Sequence, residues 1–254
     1  MAVDEIWVSP LVMAAVMLLT AACRAMTRHL VHHIRHLGSF LLEMFASLQV
    51  CACTNELRLL ADMPPAPHVA LTLTYVLTVL HGLTLSGSTI NPSSTLEQLL
   101  RSRISLKMSW VKTAAQFTGA VGATFFMSFI WSLKITKSHS GALAQDCSNP
   151  IQTTITEAFA LELLFSFLFH LAVLQFDSVK FKMKVHLIAL LITILVYGGG
   201  HLTGAVFNPA LALSLHASCF RDKFWDYALV YWMAPCLGTV LVVIVWDELI
   251  PMLQ

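Results

Sequence analysis

Gly87-Ser88-Thr89-Ile90-Asn91-Pro92-Ser93 and Gly204-Ala205-Val206-Phe207-Asn208-Pro209-Ala210 are one short pattern written twice, and their reading decides the fold. In each, a glycine stands four residues before an Asn-Pro pair, and each lies late in its own half of the chain. Asn followed by Pro starts a helix well: the amide caps the first turn, and proline at the first helical position lacks only an N–H that would have no helical partner. The apolar stretches that follow, 91–100 and 208–218, are about ten residues each. At 1.5 Å per residue they reach about half of a ~30 Å hydrocarbon core.

The surroundings are those of a membrane. Of 254 residues, 57% are hydrophobic and 11% charged, with mean hydropathy +0.75, against roughly 25% charged residues in an ordinary globular domain. Runs of about 20 apolar residues predict seven spans: 7–26, 39–60, 69–86, 109–133, 154–176, 187–203 and 227–247. The first lies in an anchor and basic linker (1–38) ahead of a second region (39–250). Acidic Asp4 and Glu5 precede it, where a cleaved signal would be basic, so it reads as an uncleaved anchor; a helix lying on the membrane surface is the alternative. The net charge of +1 argues for no nucleic acid or acidic partner. No metal-type cysteine spacing occurs, and Cys51 and Cys53 read as packed core. No nucleophile–base pairing or cofactor loop can be argued, so neither an enzyme nor a cofactor is expected.

Positive charge orients the chain. With 27–38 on the cytoplasmic side, ten of the fifteen lysines and arginines fall there: Arg24, Arg28, Arg35, Arg101, Arg103, Lys107, Lys112, Lys180, Lys182 and Lys184. The first short helix then enters from the cytoplasm and the second from the opposite face. Aligning the Asn-Pro pairs matches Gly82 with Gly199, Ser86 with Thr203 and Leu96 with Leu213. Upstream, Glu43-Met44-Phe45-Ala46 resembles Glu157-Ala158-Phe159-Ala160. Three spans per unit (repeat one 39–133, repeat two 154–250) invert the second copy, and inverted repeats share a site near the midplane, at their half-helix ends.

These residues resemble the aquaporin (major intrinsic protein) family. Besides the paired Gly-x-x-x-Asn-Pro, Ala115-Gln116-Phe117-Thr118-Gly119-Ala120 is similar to the third family helix and Tyr231-Trp232-Met233-Ala234-Pro235-Cys236-Leu237-Gly238 to the sixth. The likeness covers about 39–250, leaving 7–26 as an extra helix. Ser93 closing the first motif, the run Gly204–Leu213, and Cys219 nine residues after Ala210 resemble the eleven type of the unorthodox, superaquaporin branch. The resemblance implies an all-α membrane protein, a right-handed bundle of six transmembrane helices with two re-entrant half-helices. It implies passage of water, glycerol and hydrogen peroxide, a homotetramer, and an endoplasmic reticulum or other intracellular membrane, with the plasma membrane as alternative.

On that resemblance Asn91 and Asn208 offer amide donors to a passing oxygen, Pro92 and Pro209 set the helix starts, and small Ser93 and Ala210 let them approach; a serine satisfied by its own backbone is the alternative for Ser93. Glu43 and Glu157 are expected to brace the loops through backbone N–H groups, with a protonated carboxyl in a helix contact as alternative. Glu162 is given no counterpart and no role. Where orthodox members place arginine after the second Asn-Pro-Ala, this chain has Leu211; the other constriction positions are Ala205, Val196 and Leu71. A ring without charge loses a cation barrier and tolerates small polyols and peroxide, or closes. The resulting readings are a passive channel and a non-conducting scaffold with a closed apolar ring. Cys147 and Cys219 fall on the non-cytoplasmic side, where a disulfide or a free buried Cys219 is equally open.

Overall fold

The computed structural model describes residues 3–31, 33–61, 67–144, 147 and 149–252. The described chain is all helical: α1 (Val3–Leu30), α2 (Arg35–Arg58), α3 (His68–Thr84), α4 (Pro92–Leu100), α5 (Leu106–Ser132), α6 (Lys137–Ala144), α7 (Ile155–Gln175), α8 (Phe181–Thr203), α9 (Pro209–Leu215), α10 (Ala217–Asp222) and α11 (Phe224–Met252). Six are long and apolar enough to cross a membrane: α1 from Trp7, α2, α5, α7, α8 and α11. The seventh expected span is the 17-residue α3, about 25 Å of helix. Phe125, Phe129 and Trp110 point outward, at 72%, 62% and 68% exposure, as a lipid-facing surface requires.

Local chemistry sets the helix starts. Ser105 caps α5 by accepting from Met108 N–H, and Thr154 forms a capping box with Glu157 at α7. Gly204 ends α8 in the left-handed conformation, φ 85°. Proline inside α11 costs a helical hydrogen bond, and the turn before it, Leu229–Met233, widens to a π-turn. The Pro235 carbonyl itself accepts from Ser166 Oγ (2.7 Å) on α7 and from Thr239 Oγ1 (3.0 Å), which ties this turn of α11 to α7. The expected second short helix, 208–218, instead breaks at His216 and resumes as α10.

Packing shows the repeat directly. A Cβ on Gly119 would lie 2.4 Å from the Met44 carbonyl and 3.0 Å from Leu48 N, beside Ser47. A Cβ on Gly238 would lie 2.4 Å from the Leu163 carbonyl and 3.1 Å from Phe167 N, beside Ser166. The α2–α5 and α7–α11 contacts are thus one close crossing used twice. Ala115 and Ala123, fully buried, continue the small face of α5. Each half-helix also crosses to the other unit: α9 packs on α2 and α5, and α4, besides packing on α5 of its own unit, packs on α11. Their far ends are tied across as well, Arg58 donating to the Leu215 carbonyl (2.7 Å) and Arg101 to Asp247 (2.9 Å).

The extra helix α1 lies against α2 and is docked at three depths. Ser9 donates to Glu56 (2.6 Å), Thr20 to Gln49 (2.7 Å), and Arg24 to the Thr84 carbonyl (3.3 Å), with Met13 and Val16 buried between. Glu56, fully buried, also accepts from Trp131 (2.9 Å) and meets His139 of α6 (3.0 Å). Cys51 and Cys53 are core residues. Cys147 and Cys219 form a disulfide, which ties the connection after α6 to α10, just beyond the second half-helix.

Gly238→Val has no room against the α7 backbone. We expect it to cost about 1–3 kcal/mol or more and to lose the monodisperse peak in detergent gel filtration. Gly141→Ala on α6, with nothing within 4 Å of the added methyl, should leave that peak intact. A non-reducing peptide map should recover the Cys147–Cys219 pair; free thiols at both positions would contradict the fold of that corner.

Candidate functional site

The two Asn-Pro pairs meet. Asn91 caps α4 by accepting from Ser93 N–H (2.9 Å), and Asn208 caps α9 by accepting from Ala210 N–H (3.1 Å) and Leu211 N–H (3.2 Å). The other end of each amide crosses to the opposite loop. Asn91 Nδ2 donates to the Phe207 carbonyl at 3.1 Å, and Asn208 Nδ2 reaches the Ile90 carbonyl at 3.5 Å. Phe207 and Ile90 are the residues directly before the two asparagines, so the exchange is reciprocal. It engages one N–H of each amide, so of the two donors per amide one is left for another oxygen. Pro92 and Pro209 are buried at the two starts, and Ser93 and Ala210 are fully buried where these approach. The Ser93 hydroxyl lies 3.9 Å from the Cys236 thiol.

The same pairing needs unusual backbone. Ile90 and Phe207 carry positive φ, 65° and 32°, and so do Gly87 and Gly204, 87° and 85°. A β-branched residue there is strained. What holds Ile90 is Glu43, whose Oε1 accepts from the N–H groups of Thr89 (2.8 Å) and Ile90, from Thr89 Oγ1 (2.8 Å) and from Gln116 Nε2 (2.9 Å). Its Oε2 lies 3.6 Å from Lys112 Nζ. On the second loop, Glu162 accepts from Val206 N–H (3.1 Å), Phe207 N–H (2.6 Å) and Thr203 Oγ1 (2.6 Å).

The bracing glutamate of the second unit is therefore Glu162 and not Glu157. Glu157 sits exposed in the first turn of α7 and folds back on Thr153 and Thr154. The register of α7 is set by the Gly238 crossing, which pairs Leu163, Ser166 and Phe167 with Met44, Ser47 and Leu48. That register carries Glu43 onto Glu162. The signal was present as Glu43-x-x-x-Ser47 and Glu162-x-x-x-Ser166; a nearer look-alike around Glu157 hid it.

Other supports were not legible in advance. Gln116 bridges Glu43, Thr89 (2.9 Å) and Thr95 (2.8 Å). His170, buried between α4, α7 and α11, meets Ser94 through Nε2 (3.1 Å) and the Ser166 carbonyl through Nδ1 (2.8 Å). Tyr231 donates to the Thr203 carbonyl (2.6 Å). Of the four positions expected at the constriction, Ala205 and Val196 share one apolar cluster with Leu195 and Phe207. Leu211 packs on the clusters to either side, and Leu71 is half-buried on α3.

A family model described as "Major intrinsic protein" matches residues 12–246. Aquaporin-11 of Equus caballus is 44% identical over 242 residues, 95% of this chain and 89% of that protein. Aquaporin-11 of Homo sapiens is 42% identical over 244 residues, again 95% and 89%. Aquaporin-12 of Mus musculus is 31% identical over 223 residues, 85% and 77%. Among solved structures, the aquaglyceroporin from Plasmodium falciparum matches with a TM-score of 0.71 at 19% identity, over 86% of this chain and 98% of that one, a likeness of fold. A match that runs almost from end to end, over a chain whose halves meet at two Asn-Pro helix starts, means that this protein belongs to the major intrinsic protein family, the aquaporins.

Proposed function

We propose that the chain is a passive membrane channel for water and small neutral solutes such as glycerol and hydrogen peroxide, and that it excludes protons and ions. The observation that carries this reading is the reciprocal bonding of Asn91 and Asn208 to the opposite loop. It fixes two amides and two helix N-termini at one place. The remaining N–H of each amide is a donor for a passing oxygen, and the helix starts add positive potential there. A water that accepts from both amides has no lone pair left to take on a proton, and a cation meets repulsion. The names of the relatives, aquaporin and aquaglyceroporin, support the same reading.

The constriction in this reading is the apolar set Leu211, Ala205, Val196 and Leu71. Without a guanidinium it is wider and drier than a charged ring, which favours polyols and peroxide over fast water flow. The near-complete burial of Ala205, at 5% exposure, favours the second reading: a non-conducting scaffold with a closed ring. We place the protein in an intracellular membrane, the endoplasmic reticulum first, as a homotetramer with one passage per subunit.

Stopped-flow light scattering on proteoliposomes, with glycerol and then with sucrose outside, separates the readings. A channel swells in glycerol faster than protein-free vesicles; a scaffold does not. Leu211→Arg should narrow the spectrum, lowering glycerol flux while keeping water flux, and unchanged glycerol flux would remove Leu211 from the constriction. Glu162→Ala leaves the Val206 and Phe207 N–H groups buried and unpaired at about 1–3 kcal/mol each, enough for a loss of flux or of folded protein of about thirtyfold or more. Glu157→Ala should change flux by less than about twofold, because only the return half of an exposed capping box is lost while Thr154 still caps α7.

A further inference from the structure

The two re-entrant loops are alike in backbone and unlike in charge. Glu162 takes its bonds from Thr203, Val206 and Phe207, and among the described residues no cation lies within ion-pair distance of it. The first loop has two cations. Lys112 faces Glu43 and offsets it. The other, Arg24, comes from α1, outside the repeat. It is 3% exposed; its Nη1 donates to the Thr84 carbonyl (3.3 Å) and its Nη2 to the Ser88 hydroxyl (3.4 Å), three residues before Asn91. Both partners are neutral. Its Nε–H is buried with no acceptor among the described residues, and none of the ion pairs among them includes Arg24.

An arginine inside a membrane-spanning helix is costly and marks a functional site by default. Arg24 contributes to the docking of α1 beside Ser9, Met13, Val16 and Thr20, but a neutral donor would make the same two bonds. What a guanidinium adds over a neutral donor is a charge present at every physiological pH, and in a poorly solvated interior that charge is weakly screened. On the other half-helix, Arg58 bonds the Leu215 carbonyl at the far end of α9, away from the loop that precedes Asn208.

We propose that Arg24 is a specificity-determining residue: the extra helix carries to the first re-entrant loop the fixed positive charge that repels cations, in a channel whose second loop has Leu211 in place of a charge. This rests on the channel reading above. The experiment compares wild type, R24K, R24Q and S88D in liposomes. On the same vesicles it measures glycerol flux by light scattering and K⁺ and proton leak with an entrapped pH dye. The readout is the ratio of cation leak to glycerol flux, each after subtraction of the rate in protein-free vesicles, which loss of folded protein alone does not raise. R24Q should raise that ratio about tenfold, the effect of about 1.4 kcal/mol. R24K, which keeps charge but loses the fork, should stay at the wild-type ratio. S88D, which pairs Arg24 in place, should raise it too, and an unchanged ratio there keeps the proposal falsifiable if R24Q fails to fold. An unchanged ratio in S88D, or a ratio raised equally in R24K, overturns the proposal while leaving the channel intact. Wild-type vesicles without glycerol flux overturn the channel reading and this inference with it.

Discussion

Backbone that is neither helix nor strand cannot survive in a membrane interior unless every N–H and C=O finds a partner within the protein. The structure meets that constraint twice, at Thr89-Ile90 and at Val206-Phe207, with the same device: a buried glutamate from the first helix of each unit accepts from two successive N–H groups. The carbonyls that follow are taken by the asparagine of the opposite loop. Neither loop is satisfied alone. That mutual dependence explains how Ile90 and Phe207 hold a backbone conformation their side chains disfavour.

The dependence extends outward. A glutamate on α2 or α7 can brace a loop only if its helix has the correct register, and the register is fixed by glycine: Gly119 lets α5 touch the α2 backbone, and Gly238 lets α11 touch that of α7. The half-helices then complete the exchange between units, each packing against helices of the other and each tied at its far end by an arginine contact to it. Because close packing transmits strain, a methyl group at Gly238 is felt at Glu162 and so at Asn208.

The extra helix α1 is better described as a seventh member of the bundle than as an anchor. In a lipid environment apolar surface alone gives little reason for two helices to associate, so close packing and buried polar contacts decide together. The contacts of Ser9, Thr20 and Arg24 run the length of α1 and end at the first re-entrant loop. The Glu56 node joins α1, α2, α5 and α6 at the other end of the helix, where the chain also carries its disulfide.

The sequence by itself determined the helical membrane class, the spans to within a few residues, the doubling of the chain and the two helix starts. These follow from hydropathy and from the local chemistry of Asn-Pro, which act over ten to twenty residues and need no partner. It left Cys147 and Cys219 open between bonded and free, and it pointed to Glu157. Only the tertiary structure decided these, because they depend on what lies opposite. Glu162 looks like one more acid in an apolar helix until the Gly238 crossing turns it toward Val206 and Phe207. Gln116, His170 and Arg24 are single polar residues whose partners lie tens of residues away, on helices that only folding brings beside them.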